Sequence, residues 1–570
     1  MKNKIIKTLF VCVLAIGCLL TASNTKAFGY IYDSDKKPIQ SSPGLVVTTD
    51  GVYNVNSTAW NGKIAASEIT DFSDLYVYNN GLEEIIYAVD ASSNILFEFD
   101  SNLNFLNKIT KFEVIPDNFT DSELISMNTK IVSNGAKVST ALTNTKTNFW
   151  NFISEVKAVP YEQRTEDQKL YIECLGLSSV YRTLRPELDE NNVKTGEYQD
   201  LIYLCDKNNA QILIVDAKTY QVVQVVKAPA GADFATKFAP SKMVTDSSGR
   251  MYVISDGVYE GIILMSYQGV FMRYVGVNYT ALTFWQALTR NLKTEEQLAQ
   301  ETTILSTEFK NLTIDAAGFL YTVSRASTNP ITETTDDKAM VKRINQAGND
   351  VLVRNGYEVP KGDLVTILTG NNRGGSQFSA ITVNEFGVYT IADSKMGRLF
   401  TYDDEGNLLY ISGGNGNEQT DINNPVAVRY QGDNVLVLDK GNCSILRFKP
   451  TDFANSINRA TRYQYYGDSE SAANEWANVI TANPNYQLAY VGVGKSLLEA
   501  GRYQEAMAYF ELGDDVAYYS RAYKKYRDGI IKEYFPIAMY VVLGVAVLGI
   551  GITVAKKMKK RNKDEEGDII

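Results

Sequence analysis

Apolar and polar positions alternate along most of this chain in short runs of strand length. One phrase returns: an apolar run ending in Asp, an apolar residue six positions later, and a turn near position ten. It reads Tyr87-Ala88-Val89-Asp90 with Leu96 and Asp100, then Tyr203-Leu204-Cys205-Asp206 with Ile212 and Asp216. Further copies are Val253-Ile254-Ser255-Asp256 with Ile262, Thr390-Ile391-Ala392-Asp393 with Leu399 and Asp403, and Val437-Leu438-Asp439 with Ile445. A sixth, Tyr321-Thr322-Val323-Ser324, has Ser in place of Asp. Several copies follow an apolar strand and a Gly turn, as in Met243-Val244-Thr245-Asp246 before Gly249, Leu312–Asp315 before Gly318 and Ile381–Asn384 before Gly387. Each unit therefore predicts about four short strands, none able to bury its core face alone.

Units of this kind arranged radially make a β-propeller. The sequence predicts a mainly β chain: a six-bladed propeller over 28–455, then a small α-helical segment over 456–534. The strand at Leu45–Thr49 is expected to complete the last blade, since closure removes exposed edges. Asp90 and Asp206 lie 116 positions apart, too far for one blade. The irregular region 112–192 between them is either a diverged blade or an insertion. Over 279–306 the spacing turns helical. Phe284, Trp285, Leu288 and Leu292 share one face, and Thr294 with Gln297 forms a capping box. That stripe reads first as a lid packed on the rim, and second as ligand or partner contacts at Phe284 and Trp285.

The two ends address the chain to a membrane. Lys2, Lys4 and Lys7 precede the apolar stretch Thr8–Ala22, and Thr25-Lys26-Ala27 offers small residues at a cleavage site, so 1–27 reads as a signal peptide. A lipoprotein-type end at Cys18 fits less well, because the apolar run continues past it. Residues 535–555 carry no charge and are long enough to cross a hydrocarbon core of about 30 Å. Lys556, Lys557, Lys559, Lys560, Arg561 and Lys563 follow, which sets the tail 556–570 in the cytoplasm and the bulk of the chain outside.

Charge and composition narrow the chemistry. Taking the leader's four lysines and the tail's net two positive charges from the formal −10 leaves roughly −16 for the exported part. That argues against nucleic acid as a partner. The chain has no histidine, which removes Ser-His-Asp and Cys-His catalysis and the usual zinc sites. Three cysteines lie beyond the leader, Cys174, Cys205 and Cys443, an odd number that gives no complete disulfide framework. The 36 tyrosines suit propeller strands and also supply flat faces for sugar or peptide. No catalytic residue and no cofactor is expected. A calcium site remains open, because hard cations take oxygen ligands, with Asp90, Asp206, Asp256, Asp393 and Asp439 as candidates. A repeated turn Asp more often satisfies backbone N–H groups.

From Asn458 onward the residues resemble tetratricopeptide repeats. Tyr490, Gly494, Leu497, Gly501, Tyr503, Ala506 and Phe510 fall in register, after Ala460, Tyr463, Ala472, Trp476 and Pro484. Gly513 stands where the family pattern has alanine. The resemblance gives Tyr490, Gly494, Leu497, Gly501, Ala506 and Phe510 structural roles. The strand phrases, best in Phe238–Asp246 with Gly249–Val253, are similar to NHL repeats, which form six-bladed propellers. The whole chain resembles single-pass Gram-positive surface proteins that join such a propeller, a short tetratricopeptide segment and a C-terminal anchor. Members are often encoded beside carbohydrate ABC transporters. The resemblance thus implies a non-catalytic accessory role in glycan capture or uptake, with transporter subunits or a glycan as partner. Similarity to the gluconolactonase propellers implies the alternative, a calcium-dependent hydrolase.

Overall fold

The computed structural model describes residues 30–32, 38–40, 42, 44–60, 62–127, 131–133, 146–188, 194–229, 238–276, 308–324, 340–354, 360, 362, 376–416 and 418–567. The chain divides into two units, Met1–Ala454 and Asn455–Ile570. The leader at 1–27 and the expected helical insertion at 279–306, with Phe284 and Trp285, lie outside the described residues.

The first unit is a six-bladed propeller. A short pair, β1 (Tyr30–Tyr32) and β2 (Pro38–Gln40), precedes β3 (Leu45–Val46) and β4 (Val52–Tyr53). Blade 1 is β5 (Phe72–Asn79), β6 (Glu84–Asp90), β7 (Ile95–Asp100) and β8 (Phe105–Ile109). Between blades 1 and 2 lie β9 (Lys111–Val114), α1 (Asp121–Met127), β10 (Ile131–Ser133), α2 (Lys146–Lys157) and β11 (Leu170–Glu173). These three strands form their own sheet in the order β10-β11-β9. The irregular region is therefore an insertion over 111–173 and not a lost blade, and its later part, Leu177–Leu188, is the first strand of blade 2. Phe112, Leu124, Ile153 and Ile172 of this insertion are buried in one core with Tyr87 and Leu204 of the flanking blades.

Blade 2 is β12 (Leu177–Leu188), β13 (Lys194–Asp206), β14 (Gln211–Asp216) and β15 (Val222–Lys227). Blade 3 is β16 (Pro240–Thr245), β17 (Met251–Ser255), β18 (Ile262–Met265) and β19 (Phe271–Val275). Blade 4 shows β20 (Phe309–Ile314), β21 (Leu320–Ser324) and β22 (Val341–Ile344), with Asp350 bridging back to Ile344. Blade 5 is β23 (Phe378–Val383), β24 (Tyr389–Asp393), β25 (Arg398–Tyr402) and β26 (Leu408–Gly413). Blade 6 takes β27 (Pro425–Gln431), β28 (Asn434–Asp439) and β29 (Ser444–Pro450) from one end of the propeller and β3 from the other. Lys449 pairs with Val46 and Pro450 with Leu45, so the ring closes through its N-terminal strand as the sequence predicts.

The repeated Asp has one structural job. Asp90 accepts the N–H groups of Asp71, Thr70, Ser92 and Ser93. Asp206 accepts from Gly176, Asp393 from Gln377 and Asp439 from Asn424. In each case the carboxylate ties the end of the blade's second strand to the residue that enters its first. Asp256 is not the fifth member. Ala88 pairs with Phe97, but Val253 pairs with Ile263, so the hairpin of blade 3 is one residue longer. Ser255 takes the clasp position, accepting the Ala239 N–H, and Asp256 moves into the turn to pair with Lys207.

The core lies between blades. Tyr87, Tyr203, Tyr252 and Tyr321 occupy the same place, three residues before the clasp, and each is buried. These four tyrosines are thus strand packing.

The second unit is helical: α3 (Asp452–Tyr465), α4 (Ser469–Ala482), α5 (Gln487–Glu499), α6 (Tyr503–Leu512) and α7 (Val516–Gly567). Asp468 caps α4 by accepting the Ser471 N–H. The indole of Trp476 crosses α5 at Gly492, where an added Cβ would stand 2.4 Å from it, and Phe510 does the same at Gly494 at 2.6 Å. Ala506 and Leu497 are buried, the Tyr490 hydroxyl donates to the Pro484 carbonyl at 3.0 Å, and Gly501 ends α5 at a φ of +77°. The end of the expected helical segment 456–534 and the expected span 535–555 are one helix. α7 runs 52 residues without a break, and its apolar stretch fits a single-pass membrane anchor.

Candidate functional site

Each blade's first strand lines the axis, and each carries a bulge at the same place. The register slips between Phe72 and Asp74, Leu177 and Ser179, Pro240 and Lys242, Phe309 and Asn311, Phe378 and Ala380, and Pro425 and Ala427. A bulge re-aims the residue after it. The six equivalent residues are therefore Asp74, Ser179, Lys242, Asn311, Ala380 and Ala427. All are buried, and four are polar.

These polar groups meet across blades. Asp74 Oδ1 lies 2.5 Å from Lys242 Nζ and 3.9 Å from Arg429 Nη2. Asp74 Oδ2 accepts from the Ser179 hydroxyl at 2.6 Å and from the Val180 N–H at 3.1 Å. Lys242 also donates to the Ser73 carbonyl. Arg429 Nη1 donates to the Val428 and Ile381 carbonyls. Burial pushes the Lys242 ammonium below its ordinary pKa, against the pull of Asp74.

Where the first strands turn into the second, blades 6, 1 and 2 border an open cleft of about 460 Å³. That is the size of a small-ligand site, which runs from roughly 300 to 1,000 Å³. Tyr76, Tyr78 and Tyr430 give it aromatic surface. Asn79, Asn80, Glu84, Arg182 and Gln431 give it polar groups. Arg182 is held from four sides. Its Nε and Nη2 fork onto Asp200 at 2.9 and 2.7 Å, Nη2 also reaches Glu83 at 2.6 Å, and Nη1 donates to the Tyr87 hydroxyl. Its guanidinium lies 4.0 Å from the centre of the Tyr78 ring. Burial works against the Arg182 charge, but Asp200 and Tyr87 more than offset it, so its pKa stands above the ordinary arginine value.

The other wall accepts hydrogen bonds. Glu84 is oriented by Gln431 Nε2 at 2.6 Å and Asn79 Nδ2 at 2.9 Å. Gln431 Oε1 is buried without a partner. Tyr76 is fixed by its hydroxyl on the Arg182 carbonyl and its ring against Tyr181, and burial pushes its phenol far above the usual range.

Sequence reasoning missed this pocket. Its residues come from 76–84, 182–184 and 430–432, and no local pattern joins them. The axial layer left a fainter mark: single charges, Asp74, Lys242 and Arg429, inside runs that otherwise read as buried strand. The candidate calcium ligands are not brought together. Asp90, Asp206, Asp393 and Asp439 each sit in a separate blade with carboxylate oxygens engaged by N–H donors. Among the described residues no cluster of three or more Asp, Glu, Cys or His is placed to hold a metal.

No family model matches the chain, and no curated protein sequence does. Solved structures do resemble it. Virginiamycin B lyase of Staphylococcus aureus aligns over 70% of this chain and 98% of its own, at 9% identity and a TM-score of 0.34. An auxiliary nutrient binding protein of Bacteroides ovatus aligns over 74% and 82%, at 9% identity and a TM-score of 0.37. Likeness at this level says nothing about activity, which has to come from the site.

Proposed function

We propose that this chain is a membrane-anchored, non-catalytic binding protein, whose propeller mouth takes a neutral saccharide for an uptake system. The pocket at the mouth carries the reading. Tyrosine faces flanked by oriented amide and carboxylate acceptors suit a polyol, which offers hydroxyl donors and C–H faces. An anionic sugar suits it less, because Arg182 is already committed to Asp200 and Glu83, and Glu84 faces the cavity.

In this reading the helices α3 to α6 and the start of α7 are a tetratricopeptide-like stalk. The apolar part of α7 is the anchor, its basic tail lies in the cytoplasm, and the propeller lies outside. A carbohydrate ABC transporter is the partner class, from the resemblance to NHL-bearing Gram-positive surface proteins. The calcium-dependent lactonase has less support, since the blade carboxylates already accept N–H groups.

Calorimetric titration of the full-length protein in mild detergent tests the saccharide reading. Neutral oligosaccharides are expected to bind, and acidic ones to bind at least about tenfold more weakly. Glu84→Ala and Tyr78→Ala are each expected to lower affinity by about tenfold, near 1.4 kcal/mol. No binding across a broad neutral panel, or turnover of a sugar lactone that EDTA abolishes, would sink it. Co-purification from native membranes tests the partner: transporter subunits should be recovered with the protein.

A further inference from the structure

The axial layer does not balance its own charge. Lys242 and Arg429 bring two cations to it, and Asp74 brings one carboxylate. Arg429 is 8% exposed, Lys242 7% and Asp74 fully buried, so solvent does little to screen the surplus. Two other ionisable groups interact with the layer, the Cys205 thiol with Lys242 and the Tyr76 phenol with Arg429, and burial holds both protonated. An uncompensated buried cation is costly enough that proteins pair it or discharge it.

The layer also holds donors with nothing to donate to. Arg429 Nε is buried without a hydrogen-bond partner. On blade 4, Asn311 occupies the position equivalent to Asp74 and Lys242, is fully buried, and has neither its Nδ2 nor its Oδ1 bonded. Lys242 uses two of its three N–H donors, on Asp74 and on the Ser73 carbonyl. On blades 5 and 6 the equivalent residues are Ala380 and Ala427, which bring neither charge nor a side-chain acceptor to the layer.

Surplus positive charge, orphaned N–H donors and small neighbours in one layer have a common explanation. We propose that the propeller axis holds a buried monovalent anion of halide size, bound by Lys242, Arg429 and Asn311. Chloride is the available ion of that class. Its place is structural: it completes the ring's centre, and Tyr76 and Tyr430 of the mouth pocket stand two and one positions along the chain from Asp74 and Arg429. The inference is independent of which ligand the mouth takes. The rival is discharge of Lys242 by proton loss, the direction in which burial drives it. A neutral Lys242 would leave one Arg–Asp pair and no call for an anion.

Full-length protein in detergent, exchanged into sodium methanesulfonate, decides between them. Chloride or bromide added at constant ionic strength should raise the unfolding midpoint along a saturating curve. At about a hundred times the half-saturating concentration the rise should be about 3 °C. Asn311→Asp places a carboxylate of the same shape in the layer. It should remove the halide dependence and unfold near the halide-saturated wild type. Equal wild-type midpoints in all three salts, or an Asn311→Asp protein that responds to halide as wild type does, would overturn the proposal. If Asn311→Asp does not fold, anomalous scattering from bromide-soaked wild-type crystals decides. A peak within hydrogen-bond reach of Arg429 Nε and Asn311 Nδ2 supports it, and an axis without a peak overturns it.

Discussion

Lys242 reaches past blade 2 to place its ammonium 2.5 Å from the Asp74 carboxylate of blade 1. Three non-adjacent points of the chain meet there, because Arg429 of blade 6 faces the same oxygen. Asp74→Ala leaves two buried cations without their carboxylate. The expected loss is about 3–5 kcal/mol, the usual cost of breaking a buried pair. Denaturant unfolding of the wild type and variant checks this, and a loss under about 1 kcal/mol would show that the axis tolerates unpaired charge.

Glu98 gives a pH test. Burial raises its carboxyl above the ordinary value, although Tyr220 donates to both oxygens at 2.7 Å. A carboxyl whose pKa is raised on folding contributes stability that is complete below its unfolded value, and loses it as pH rises through the folded value. Wild-type stability should therefore carry a falling component from about pH 4.5 upward. Glu98→Gln should remove that component and be at least as stable as wild type at pH 7. Midpoints measured from pH 4 to 8 test both statements. An unchanged pH slope in the variant would refute the assignment.

Arg182→Lys keeps the charge and loses the fork onto Asp200 and the flat contact with Tyr78. The expected cost is about 2 kcal/mol of stability, less than a fully buried pair because Asp200 and Glu83 are partly exposed. Saccharide affinity should fall with it, since Arg182 fixes the Tyr78 ring. A stable variant with unchanged affinity would place the binding surface elsewhere.

Gly494→Ala tests the helical unit. The new methyl would stand 2.6 Å from the Phe510 ring, too close for either to remain in place. Overpacking of this kind costs about 1–3 kcal/mol. Loss of helicity on heating should begin at lower temperature in the variant. Gly529, where an added Cβ meets nothing within 4 Å, is the control: Gly529→Ala should be neutral or slightly stabilising.

Local pattern made the blades legible. Asp90, Asp206, Asp393 and Asp439 mark the end of each second strand because a turn carboxylate and an apolar run are adjacent in sequence. Asp100, Asp216 and Asp403 likewise mark the next turns, accepting N–H groups two to four residues on. Asp256 misleads by one position, since hairpin length is set by the chain's return and not by the residue type. The insertion at 111–173 was visible only as a gap. Arg182, Glu84 and Gln431 carried no signal at all, because only ring closure brings blade 6 beside blades 1 and 2. Helix α7 shows the converse: separate sequence features, a helix of the C-terminal segment and an apolar span, merge into one helix that runs on through Pro536.

The pairing of Lys449 and Pro450 with Val46 and Leu45 sets a schedule for the chain's synthesis. Blade 6 cannot be completed until nearly 450 residues have emerged. Until then the first blade has a bare flank, and the strand at 45–46 that completes blade 6 waits unmatched. Contacts of such separation form slowly and leave strand edges exposed meanwhile. Closing the propeller joins its first and last strands, so a chain that stops before β29 leaves an open arc with exposed strand edges.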